Sequence, residues 1–167
     1  NVLRPIAIPI IQRDMLRIIA LGDTASSSAD YSMLDGKWKK IIAGVTAGDI
    51  TKAADLPDSG ALAAGAALTA LTAVFFNAPL ELQAVPESDK LIVVTRSVYN
   101  NYMQTLTSNS SLESSWTTMQ NGIRTLTFMG VPLVIDEYVD TYALADTLVI
   151  PNDNPHRIYY TTRGNIT

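Results

Sequence analysis

Lys90-Leu-Ile-Val-Val-Thr-Arg96, followed at once by Ser97-Val-Tyr-Asn-Asn-Tyr-Met-Gln-Thr-Leu106, decides the fold. Four aliphatic residues in a row, Leu91 to Val94, suit a short strand covered on both faces. Val98, Tyr99, Tyr102, Met103 and Leu106 then recur at the spacing of one helix face, with Ser97 as the expected N-cap. Downstream, Leu126-Thr-Phe-Met-Gly-Val-Pro-Leu-Val-Ile135 reads as a second strand. Gly130-Val-Pro132 interrupts it, and a proline there implies a sheet edge or a bulge. Two further β-rich runs, 147–150 and 157–162, flank a turn at Pro151-Asn-Asp-Asn-Pro155. The expected fold is α+β, a mixed sheet flanked by helices. Its expected core holds Leu71, Val74, Leu91, Val93, Tyr102, Leu106, Leu126 and Val134.

Working outward, the Ser/Thr-rich stretch 107–121 contains Ser110-Ser-Leu-Glu113, a capping box. Leu112, Trp116 and Met119 follow it at helical spacing, and Gly122 is a good stop. Upstream, Asp58-Ser-Gly60 is expected to open an Ala-rich helix running to about Asn77, with one more turn at Pro79-Leu-Glu-Leu82. Residues 61–76 are mostly Ala and fall short of the roughly 18–20 strongly apolar residues of a membrane span. Residues 44–57, punctuated by Gly44, Gly48 and Pro57, read as loops. Residues 37–43 read as a short helix burying Trp38, Ile41 and Ile42, and residues 23–30 as a loop or mobile flap. Pro9 suits the first position of a helix that ends near Gly22. Ile11, Met15, Leu16, Ile18 and Ile19 would form its buried face. This organisation divides the chain into a helical segment, 1–58, and an α/β core, 59–167.

The chain has 167 residues, enough for one domain with a lobe and a real core. Hydrophobic residues make up 47% and charged residues only 17%, so much of the surface is Ala, Ser, Thr and Asn, which suits contact with other proteins. A net charge of -4 argues against a dedicated nucleic-acid binder. With no cysteine, a disulfide framework and a thiolate metal site are both excluded. The sequence opens on Asn1 without a signal-peptide pattern, and its abrupt ends suggest a piece of a longer polypeptide.

Candidate chemistry is sparse. His156, the only histidine, follows Pro155 and reads as an exposed turn residue rather than a base or ligand. Asp136, Glu137 and Asp140 follow a strand end, where α/β proteins often carry function, but lack calcium-loop spacing and read as a solvated acidic loop. Gly60-Ala-Leu-Ala-Ala-Gly65 has phosphate-loop glycine spacing, but Ala66 and Ala67 stand where Lys and Ser/Thr are needed. Lys37-Trp-Lys-Lys40 reads as a wet basic face over a buried Trp rather than a nucleic-acid stacking set. Asn109-Ser-Ser111 and Asn165-Ile-Thr167 match glycosylation acceptors. The expectation is no catalytic residue, no metal, no cofactor and no small-molecule substrate.

An Ala-rich helix, then "DKLIVVTRSVYNNYMQTL", then "RTLTFMGVPLVIDEYVD", then "TLVIPNDNPHRIYYTTRGNI" follow one another. That order resembles the major capsid protein of tailed double-stranded-DNA bacteriophages, the Hong Kong ninety-seven fold. Gly130, Pro132, Leu133 and Val134 match its Gly-x-Pro-hydrophobic strand. The resemblance covers about 59–167 reasonably and 1–58 only loosely, as part of a peripheral domain. The family's N-terminal arm, extended loop hairpin and final peripheral strand have no recognisable counterpart. The resemblance implies a non-enzymatic shell subunit that contacts copies of itself, resides in the virion and reaches it from the host cytoplasm. Two other readings stand beside it: a small-molecule-binding or hydrolytic α/β domain using the 136–140 loop, and a cellular compartment shell protein of the same fold.

Overall fold

A computed structural model describes residues 4–57, 60–108, 116–118, 124–136 and 156–165. The chain divides into two compact units, residues 1–50 with 138–153, and residues 51–137 with 154–167.

The second unit is the α+β body. Its described elements are α3 (Ala66–Phe76), α4 (Leu80–Gln83), β1 (Lys90–Val94), α5 (Arg96–Ser108), β2 (Trp116–Thr118), β3 (Arg124–Phe128), β4 (Val131–Ile135) and β5 (Ile158–Thr162). The sheet is mixed, in the order β2-β3-β4-β1-β5. β1 runs parallel to β4, with Ile92 opposite Leu133, and antiparallel to β5, with Ile92 opposite Tyr160. All five residues of β1 are buried, as its unbroken aliphatic run requires. Ile92 and Val94 face a core built from Ala67 and Leu71 of α3, Val98, Tyr102 and Leu106 of α5, and Leu126, Phe128, Val131 and Leu133 of the neighbouring strands. Leu91 and Val93 are buried on the opposite pleat. Val74 is only half-buried, and Val134, expected inside, is 41% exposed because it alternates with Leu133 on β4.

Four readings of the second unit change. The stretch 126–135 is a hairpin rather than one strand: Phe128 pairs with Val131 around Met129 and Gly130, both at positive φ. Such a two-residue turn matches the twist of its strands. Pro132 therefore lies in an interior strand. It is tolerated there because the β1–β4 register starts one residue later, at Leu133, so no rung needs its missing N–H. Residues 116–118, expected in a helix, form β2 against Arg124 to Leu126, as aromatic and β-branched residues favour. The capping box, Leu112 and Met119 lie outside the described residues, as do 147–150 and the 151–155 turn. Finally, the Ala-rich helix starts at Ala66, not near Ser59. Gly65 at φ 76 breaks the helix there, and Asn101 takes up the backbone before it.

The first unit contains α1 (Arg4–Leu21) and α2 (Lys37–Ala47). α1 starts ahead of Pro9, which stands inside the helix. α2 runs through Gly44, expected to be loop, and stops at Gly48, whose φ of 86 lets its N–H turn back onto Gly44 and Val45. Trp38 is buried as expected, whereas Ile41 and Ile42 are only half-buried. Gly36 donates to the Gly22 carbonyl at 2.7 Å. A Cβ on Gly36 would meet the Gly22 nitrogen at 2.6 Å, and one on Gly22 would strike the Leu34 carbonyl, so this crossing requires two glycines. The expected buried face of α1 is largely solvent-exposed: Ile11 58%, Met15 57% and Ile19 49%, with Leu16 at 38% and Ile18 half-buried. Residues 10–16 are all exposed, and among the α1 residues from Ile10 onward whose exposure is described, Arg17, Ile18, Ala20 and Leu21 turn inward. Among the described residues, no helix is long and apolar enough to cross a membrane.

Candidate functional site

A polar cluster of the second unit lies where β1 ends and α5 begins. Thr95 is fully buried and connects them. Its N–H donates to the Arg157 carbonyl at 3.0 Å, and its Oγ1 accepts from the Arg157 N–H at 3.1 Å. This extends the β1–β5 pairing by side-chain means. Ser97 lies in the first turn of α5. Its Oγ is 2.7 Å from His156 Nδ1 and 3.2 Å from Thr95 Oγ1. His156 Nε2 lies 2.9 Å from the Gly60 carbonyl.

The chemistry of the partners orders the protons. A carbonyl only accepts, so Nε2 carries the hydrogen, and in the neutral ring Nδ1 is the acceptor. Ser97 then donates to Nδ1, and Thr95 donates to Ser97. The chain runs one way, from the Arg157 N–H through Thr95, Ser97 and His156 to Gly60. His156 is thus no exposed turn residue: it is 5% exposed and joins backbone segments far apart in sequence. Ser97 spends its hydroxyl on this chain rather than on an N-cap. Nothing local to Pro155-His156 signals this, since the partners stand 59 and 96 positions away. A Ser–His contact of this length is the geometry of a nucleophile and its base. Here the ring is sealed from solvent, and its far nitrogen rests on a carbonyl rather than a carboxylate, so the arrangement ties the fold together.

Asn101 forms a second buried polar centre. Its Oδ1 accepts from Ala67 N–H at 3.1 Å, and its Nδ2 donates to the carbonyls of Ala63 at 2.9 Å and Leu62 at 3.3 Å. One side chain on α5 thereby caps the start of α3, in place of the Ser or Asp expected just before a helix. Nothing in the sequence marks it, because Asn101 sits mid-helix, 34 positions from the Ala67 N–H it accepts from. An open groove of about 550 Å³ lies beside it, lined by Ala64, Gly65, Met103, Gln104, Thr105 and Ser108 among others. Its hydroxyls are committed: Thr105, Thr107 and Ser108 donate to the carbonyls of Asn101, Met103 and Gln104. That leaves them poorly placed to orient a polar ligand.

In the first unit, Lys39 Nζ lies 2.6 Å from both Asp23 and Asp35. Asp35 also accepts from the Thr24 N–H and hydroxyl, and Asp23 from the Ala25 N–H. The start of the 23–30 stretch, expected as a loop or mobile flap, is tied to Asp35 and Lys39 by these bonds. The Lys39 hydrogen bond, followed by those of Thr24, pulls the Asp35 carboxyl down to about 2. The same lysine lowers Asp23 and is itself raised by the two carboxylates. Lys39 is therefore matched within the 37–40 basic cluster rather than presented to a phosphate. Of the acidic loop, only Asp136 is described; its N–H donates to Val94 at 2.9 Å, while Glu137 and Asp140 lie outside the described residues. Among the described residues, no group of three or more His, Asp or Glu side chains is placed to hold a metal.

Comparison with protein-family models, curated proteins and solved structures finds no match to this chain.

Proposed function

We propose that this chain is a structural, non-enzymatic subunit of a viral or prophage capsid shell that assembles around packaged double-stranded DNA. The observation that carries the reading is the meeting of the three resembling stretches in one sheet. β1 with α5, the β3–β4 hairpin and β5 adjoin one another, in the chain order on which the resemblance rests. Two further features support it. The buried polar groups at Thr95, His156 and Asn101, with the half-buried Ser97, are spent on joining distant segments of the chain. α1 presents Ile10, Ile11, Met15, Leu16 and Ile19 to solvent, a patch of the kind that marks protein–protein contact. A shell needs such repeated contacts, because symmetry multiplies each one. The partner is other copies of the same subunit, and the location is the virion, reached from the host cytoplasm.

The test is electron microscopy of the complete gene product that contains this chain. Closed particles are the expected result, with viral DNA inside them separating a capsid from a cellular compartment. A product that stays monomeric under every assembly condition overturns the assignment.

A further inference from the structure

We propose that Asp35 is a latent site of covalent modification: the fold holds it as aspartate, and opening of the 22–39 corner lets it convert to isoaspartate, after which the corner cannot close again. Asp35-Gly36 is the only Asp-Gly pair in the chain. A glycine has no Cβ to shield its nitrogen, so that nitrogen can reach the preceding side-chain carboxyl. In the reaction the Gly36 nitrogen bonds to Asp35 Cγ. The carboxyl hydroxyl and the amide hydrogen leave together as water, and a five-membered imide remains. Water then adds at either imide carbonyl. Addition at the side-chain carbonyl restores aspartate. Addition at the main-chain carbonyl leaves the chain running through Cγ, with one extra backbone carbon and the former main-chain carboxyl as the side group. The folded corner restrains both reactants. The reactive form of the carboxyl is the neutral acid, since a carboxylate has no hydroxyl to lose. Asp35 Oδ1 accepts from the Thr24 N–H at 2.9 Å, the Thr24 hydroxyl at 2.8 Å and Lys39 Nζ at 2.6 Å, which keeps the group ionised. Gly36 is buried, and its N–H donates to the Gly22 carbonyl at 2.7 Å. The product does not fit the same space. Gly36 packs so closely that a Cβ would lie 2.6 Å from the Gly22 nitrogen and 2.9 Å from the Ala20 carbonyl. An extra backbone carbon beside it moves Gly36 off Gly22 and carries the carboxylate away from Thr24 and Lys39.

Peptide mapping of the full chain, which separates isoaspartate from aspartate, tests this. At about pH 5, isoaspartate at position 35 should form at least about tenfold more slowly in the folded parent than in the parent held in urea. Lys39→Met and Thr24→Val each remove a donor from the carboxylate. Each should raise the folded rate, Lys39→Met the more. Should Lys39→Met open the unit altogether, Thr24→Val, which keeps the Lys39 link, carries the comparison. After long incubation in urea, the isoaspartate chain should refold with its Gly36 amide exchanging freely, whereas parent passed briefly through urea should regain Gly36 protection. The proposal is overturned if the folded and urea-held parent convert at one rate, if both variants keep the parent rate, or if the isoaspartate chain protects Gly36 as the parent does.

Discussion

Replacing Asn101 with alanine removes three hydrogen bonds from a buried position at once. The Ala67 N–H and the carbonyls of Leu62 and Ala63 lose their shared partner. Buried groups left unsatisfied cost about 1–3 kcal/mol each, with some relief from entering water. A destabilisation of about 2–4 kcal/mol is expected, read as a lower urea midpoint; an unchanged midpoint would show that the α3 start is held by something else. Asp35 makes a prediction of the opposite kind, one of titration. Its folded value of about 2 lies below the usual carboxylate value. The ionic link therefore contributes fully above pH of about 4 and is lost as pH falls through about 2. Lys39, raised by the same contacts, loses its contribution only as pH rises through its own elevated value. Carboxyl NMR should find the Asp35 midpoint near 2, with the Thr24 amide moving in step. In Lys39→Met the midpoint should return toward the ordinary carboxylate value. A parent midpoint already there would mean that Lys39 does not hold the segment.

At the scale of elements, β1 is the least forgiving. Val93→Asp puts a carboxylate into a strand buried along its whole length, at a cost of several kcal/mol. The second unit should lose its cooperative thermal transition by circular dichroism; a parent-like melt would mean that the strand tolerates the charge. α1 behaves in the reverse way. Its outward residues Ile11 and Met15 are more than half exposed, so their side chains contribute little packing within the chain. The double substitution Ile11→Ser and Met15→Ser should change stability by no more than about 0.5 kcal/mol, while sharply lowering particle yield from the complete gene product. A variant that unfolds, or one that assembles normally, would remove α1 from the contact surface. These two elements also show what sequence can reveal. A run such as Leu91 to Val94 announces its own burial, because no exposed strand needs four aliphatic residues in a row. The stripe on α1 announces only that something covers it, and periodicity cannot say whether the cover lies in the same chain. His156 and Asn101 gave no signal, because their roles depend on partners brought near only by the fold.

For the whole molecule, the expectation concerns assembly. On the capsid reading proposed above, an arm, an extended loop and a peripheral strand would supply most lateral contacts, and the sequence shows no recognisable counterpart of them. The 167-residue chain on its own should remain a monomer or small oligomer by light scattering, with contacts below the roughly 1,200–2,000 Å² of a standard interface. Closed shells from this chain alone would show that those extensions are dispensable. The interleaved course of the chain also has a consequence during synthesis. β1 ends at Val94, yet its two neighbours begin only at Val131 and Ile158. At translation rates of about 5–20 residues per second, the nascent strand waits on the order of seconds for each. Throughout that interval Leu-Ile-Val-Val leaves the ribosome with neither edge paired, a segment of the composition that seeds intermolecular β-pairing. Soluble yield should therefore depend on how quickly the ribosome delivers β4 and β5, or on a chaperone that shields β1 until they arrive.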